Sequence, residues 1–114
     1  VEIRVEVTGV EDVLRRLDGL VSEAALRRGL AGAAHLVEGV AKVKAPYDTG
    51  FLRNSIGVLS VSSREAVVGT GAEYGVYLEM GTRRMAARPF MRPALEENRG
   101  RIAGLIRDAL RAGG

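Results

Sequence analysis

At 114 residues the chain is the size of one domain, and its apolar fraction of 46% is that of a folded globular protein, which excludes a disordered tail as its main character. The absence of cysteine excludes a disulfide framework, a thiolate metal site and a thiol nucleophile. The net charge of +3 comes from fifteen arginines and two lysines, Lys42 and Lys44, against fourteen acidic residues, too small an excess to mark a nucleic-acid binder by itself.

The opening "VEIRVEV" alternates, with Val1, Ile3, Val5 and Val7 on one side and charges on the other, and predicts a half-buried strand. It has neither a basic segment followed by a greasy one nor a long apolar run, so the sequence predicts a soluble, unexported chain with no membrane partner. From Val10 the period becomes helical, through Val13, Leu14, Leu17 and Val21. After a break near Gly19 and Ser22 a longer helix is predicted on Ala25, Leu26, Leu30, Ala33, Leu36, Val37, Val40 and Ala41, ending at Lys42, Lys44 and Pro46. Gly29, Gly32 and Gly39 within it predict a close approach between this helix and the sheet.

"APYDTGFLRNSI" carries the turn formers Pro46, Asp48 and Gly50 and predicts a loop feeding the next strand. "SIGVLSVS" and "EAVVGTG" predict a hairpin turning near Ser63 and Arg64, with Ile56, Val58, Leu59, Val61, Val67 and Val68 as its apolar surface. In "EYGVYLEMG" the spacing of Tyr74, Tyr77 and Leu78 predicts a short helix closed by Gly81. The final helix opens at Pro93 and carries Leu95, Ile102, Leu105, Ile106, Ala109 and Leu110 as its apolar stripe, ahead of a frayed "RAGG". These elements give a single α+β domain over residues 1–114: a small, largely antiparallel sheet with a long helix and a C-terminal helix packed on it.

Catalytic chemistry finds little support. "DTG", Asp48–Gly50, has the tripeptide of an aspartyl protease, which needs two such carboxylates sharing a proton, but here it follows a helix and "KAPY" instead of an apolar strand, and it reads as a turn. His35, the only histidine, lies in a helical pattern with no nucleophile elbow among the serines and no cluster of metal ligands. "VGTGAEYG" lacks the lysine of a phosphate loop. No catalytic, cofactor-binding or metal residue is assigned.

The remaining feature is "YLEMGTRRMAARPFMRPAL", with Arg83, Arg84, Arg88 and Arg92 among Met85, Phe90 and Met91 and no acidic residue between Glu79 and Glu96. Arginine and methionine are enriched at protein interfaces, where Phe90, Met85 and Met91 would anchor inside a charged rim. Four arginines would also serve as phosphate contacts, although one aromatic is thin for single-strand stacking. A solvated loop is the third reading.

In order and spacing, "APYDTGFLRNSI", "VGTGAEYGVYLEMGT" and "RPFMRPAL" resemble the small tail-component family of long-tailed bacteriophages, the neck or tail-completion group that includes the minor tail protein Z type. Pro46, Thr49, Gly50, Leu52, Arg53, Ser55 and Ile56 match the first motif. Tyr74, Tyr77, Glu79, Gly81 and Thr82 match the second, and Pro89, Phe90, Arg92 and Pro93 the third. The resemblance implies a structural virion protein and not an enzyme, found in the virion neck and, during assembly, in the bacterial cytoplasm. It would act at the head-to-tail joint as a homo-oligomeric ring, often a hexamer, beside head-completion and tail-tube or tail-terminator proteins and around a channel for duplex DNA. In such a ring the acidic short helix with Glu73 and Glu79 would meet the next subunit's arginine loop.

Overall fold

The computed structural model describes residues 2–6, 23–45 and 51–112. Three strands form one antiparallel sheet in the order β1-β3-β2: β1 (Glu2–Glu6), β2 (Ile56–Val61) and β3 (Glu65–Thr70). Five helices accompany them among the described residues: α1 (Glu23–Lys44), α2 (Phe51–Ser55), α3 (Glu73–Met80), α4 (Met91–Glu96) and α5 (Arg99–Arg111). This is the α+β arrangement that the alternation of periods predicts. The first helical run, from Val10 to Val21, and the turn residues Pro46, Asp48, Thr49 and Gly50 lie outside the described residues.

The hairpin turn at residues 62–64 is held by Ser62, whose Oγ accepts from the N–H groups of Arg64 and Glu65. Ile56 faces Thr70 and Val58 faces Val68, and then a bulge slips the register so that Ser60 faces Val67. The bulge carries Leu59 out of the predicted apolar surface, and its side chain is exposed. β3 is the central strand. Across it Ala66 and Val68 point into the main core, while Val67 is buried outside that cluster.

α1 follows from its sequence directly. Glu23 sits in its first turn and Lys42 and Lys44 in its last, matching the helix dipole, and Leu26, Leu30, Ala33, Ala34, Val37 and Ala41 bury one face at helical spacing. The helix lies on the sheet and also takes α4 and α5 against it. Here the glycines depart from expectation. A Cβ on Gly29 would stand 2.9 Å from the Ile106 Cα and 3.3 Å from the Ala109 Cβ, so the close approach is to α5 and not to the sheet. Among the described residues Gly32 and Gly39 would meet nothing within 4 Å.

Two further expectations are corrected. Phe51–Ser55 is a helical turn and not loop: Leu52 fills the core, the Arg53 Nε donates to the Lys42 carbonyl at 3.0 Å, and the Ser55 hydroxyl pairs with that of Thr70. Arg53 thereby satisfies one of the carbonyls that α1 leaves open at its C-terminus. The C-terminal helix is in fact two, broken at Glu97 and Asn98, where the buried Asn98 amide donates to the Ala94 carbonyl at 2.9 Å. α5 buries Ile102 and Ile106, with Leu110 partly covered, and leaves Leu105 exposed.

Candidate protein interface

α3 starts after the buried Ala72, whose N–H donates to the Thr70 Oγ1 at 3.0 Å. Its sequence is apolar nearly all round, so burying one face leaves an apolar face behind. The buried face is Gly75 and Leu78. Tyr74 and Tyr77 are 43% and 47% exposed, and Val76 and Met80 are exposed with them, Met80 at 76%. Gly75 favours this side: a Cβ there would lie 3.0 Å from the Thr70 Cγ2 and 3.2 Å from the Leu52 Cδ1, so a larger residue would have to press these side chains back.

Gly81 ends α3 with φ of 78°, its N–H donating to the Tyr77 carbonyl, in the left-handed region that favours glycine. The arginine loop that follows is braced by its backbone. Thr82 and Met85 exchange N–H···O bonds at 2.8 and 3.3 Å, the Thr82 Oγ1 accepts from the Arg84 N–H, and the Arg88 N–H donates to the Leu78 carbonyl at 2.7 Å.

The loop closes on Glu79. Its Oε1 accepts from the N–H groups of Phe90 and Met91 at 3.1 and 2.9 Å, and its Oε2 accepts from that of Arg92 at 3.2 Å. A side chain on α3 thus fills the position that a capping residue would take at the start of α4, where Phe90 itself offers no side-chain acceptor. Pro93, in the first turn of α4, has no N–H to satisfy.

The expected interface residues divide accordingly. Arg83, Arg84, Arg88 and Arg92 are exposed. Phe90 and Met91 have no exposed surface and belong to the core, so they do not anchor a partner; Met85 is partly buried against the same core. Hydrophobic residues beside arginines looked like one mixed surface in sequence, whereas the loop sorts them, apolar side chains inward and guanidinium groups outward. Glu79 is likewise committed within the chain and is no free acidic counterpart for a neighbour's arginines. Of Glu73 only its place at the start of α3 is described.

Val76 and Met80 carry surface that sequence reasoning missed; the signal was Gly75 three residues before Leu78, marking the close side of the helix. A second apolar surface lies on α1, an open groove of about 380 Å³ lined by His35, Leu36, Gly39, Val40, Val43 and Lys44. Val43 in it is 79% exposed. Lys44 at its end pairs with Glu97 at 2.7 Å. Among the described residues no three His, Asp or Glu gather as metal ligands, and no helix is long and apolar enough to cross a membrane.

An exposed tyrosine and methionine face followed in the chain by a braced arginine loop has the makeup of a protein contact surface. The particular family follows from the sequence match. Residues 10–81 fit the family model described as "Bacteriophage HK97-gp10, putative tail-component", and the chain belongs to that family of phage tail components. No curated protein and no solved structure matches it. The matched range covers the long helix, the hairpin, α3 and its glycine cap, and stops where the arginine loop begins.

Proposed function

We propose that this tail component works at the head-to-tail joint of a long-tailed phage, as one subunit of a homo-oligomeric ring that completes the tail or connects it to the head, next to head-completion and tail-tube or tail-terminator proteins. The observation that carries the reading is the surface formed by Tyr74, Val76, Tyr77 and Met80 with Arg83, Arg84 and Arg88 beside them, on a loop fixed by its own backbone. A preordered loop loses little conformational freedom on association, and an apolar centre with an arginine rim supplies both burial and orientation. The working location is the virion, with assembly in the bacterial cytoplasm, and the family role is mechanical and not enzymatic.

Contact with duplex DNA in the channel is the second reading, favoured by the four exposed arginines. The two separate by residue type. Met80→Asp and Tyr77→Asp would abolish ring assembly and head-tail joining, scored by electron microscopy of particles completed with the variant, while leaving DNA retention intact. Arg83→Glu with Arg88→Glu would impair assembly under the first reading and duplex binding under the second, the latter with a log-log salt slope of roughly minus 3 to minus 4 in the wild type. Intact joining by both sets of variants would overturn the ring reading.

A further inference from the structure

The net charge of this chain is not spread over it. Seventeen basic and fourteen acidic residues give +3, and α5 holds four of the first kind and one of the second, which leaves thirteen of each in the rest of the sequence. The whole excess therefore lies on a helix of 13 residues, about 20 Å long. Its arginines, Arg99, Arg101, Arg107 and Arg111, are all exposed, and among the described residues none of them forms an ion pair. Ile102 and Ile106 turn inward and Gly29 of α1 closes on Ile106, so Arg107 and Arg111, one turn apart, stand on the solvent side with Asp108. The surroundings leave this excess uncompensated. Ahead of the helix Glu97 is held by Lys44 at 2.7 Å beside exposed Glu96, and the turns of α1 that lead to Gly29 carry Glu23, Arg27 and Arg28, three acidic residues against three basic ones.

These charges do not serve the helix. Arg99 and Arg101 stand in its first turn, where the helix dipole favours acidic side chains and none is present. Arg107 and Arg111 are like charges one turn apart, which is also unfavourable within a helix. Local costs that no partner inside the chain offsets point to a negatively charged partner outside it.

What α5 lacks narrows the partner further. A protein contact is built round an apolar or aromatic centre, and the only large apolar side chain on the solvent side of α5 is Leu105, 38% exposed. Unpaired bases need aromatic rings to stack on, and no aromatic residue follows Phe90. Arginines with neither feature match the phosphate backbone of a duplex, whose charges repeat along both strands.

We infer that the solvent face of α5 binds the phosphate backbone of duplex DNA. This contact is separate from the α3 surface, which joins protein to protein with Arg83, Arg84 and Arg88 as its rim. It does not rest on the ring reading, and it moves the DNA contact from the arginine loop to the terminal helix.

The salt dependence of duplex binding by the full chain, read by fluorescence anisotropy, tests the assignment. Four phosphate contacts give an expected log-log slope of roughly minus 3 to minus 4. Arg107→Gln with Arg111→Gln removes two exposed charges, keeps good helix formers in place and should leave the melting temperature unchanged. The slope should flatten by about 2, and affinity at about 0.1 M salt should fall at least tenfold. Arg107→Lys with Arg111→Lys keeps the charge and should keep the wild-type slope. Arg83→Gln with Arg84→Gln, equal in net charge to the α5 glutamine pair, should keep it too.

An equal loss from the loop pair and the α5 pair would overturn the inference, because binding would then follow total charge. Single-stranded DNA of the same length bound as tightly as the duplex would overturn it as well, as would a wild-type chain that binds no duplex at low salt.

Discussion

Glu79 is the residue on which the arginine loop depends most heavily, and its replacement has a calculable cost. In Glu79→Ala the N–H groups of Phe90, Met91 and Arg92 lose their acceptor together. Arg92 is exposed and its N–H can turn to water, but Phe90 and Met91 are anchored by fully buried side chains and cannot follow. Hydrogen bonds to a charged acceptor are worth about 1.5–3 kcal/mol each, so losing the two to Phe90 and Met91 is expected to cost about 3–6 kcal/mol. At roughly 4 °C per kcal/mol for a chain of this size, the melting temperature should fall by about 12–24 °C. Glu79→Gln keeps one oxygen for Phe90 and Met91 and turns a donor toward Arg92, so about 1 kcal/mol is the expected loss. Urea unfolding followed by circular dichroism gives the free energies, and tryptic cleavage after Arg83 or Arg84 reports the loop. An alanine variant within about 0.5 kcal/mol of the wild type, with unchanged cleavage, would refute the bracing role.

The remaining predictions use the same scale. Gly29→Ala should destabilise by about 1–3 kcal/mol, because its Cβ would press on the Ile106 backbone and part α1 from α5, whereas Gly39→Ala should stabilise by about 0.5–1 kcal/mol; equal effects in thermal unfolding would remove the packing argument. Phe90→Ala should cost about 3–5 kcal/mol in unfolding free energy as a core cavity, where an interface anchor would have left the isolated chain unaffected. Gly81→Ala combines the strained φ with a Cβ 2.9 Å from the Ala87 nitrogen and should lose about 1–3 kcal/mol, with the loop more open to trypsin. Lys44→Met, which removes a largely exposed ion pair, should change stability by less than about 1 kcal/mol.

Much of the scaffold was legible before any coordinates. The long helix, the hairpin and the glycine cap of α3 each rest on interactions within a few residues, and the first two recur with nearly the predicted bounds. The three motifs that carry the family resemblance also proved to be packing devices: Leu52 fills the core, Arg53 closes the end of α1, Gly81 ends α3 and Phe90 is buried. Leu59 was misplaced because a bulge resets the phase of an otherwise regular pattern, while Leu105 lies at the edge of the stripe that Ile102 and Ile106 bury in the same unbroken helix.

By itself, then, the sequence determined the long helix, the hairpin and the short helix closed by Gly81, because hydrophobic period, turn residues and end charges act locally. Only the tertiary structure decided which side of each element faces inward. Gly75 draws α3 down by its bare side and leaves two tyrosines and a methionine outside. Glu79 reaches along the chain to fix the loop, and Gly29 lets α5 cover one face of α1. Those outcomes depend on contacts between residues far apart in the chain, which no local period encodes.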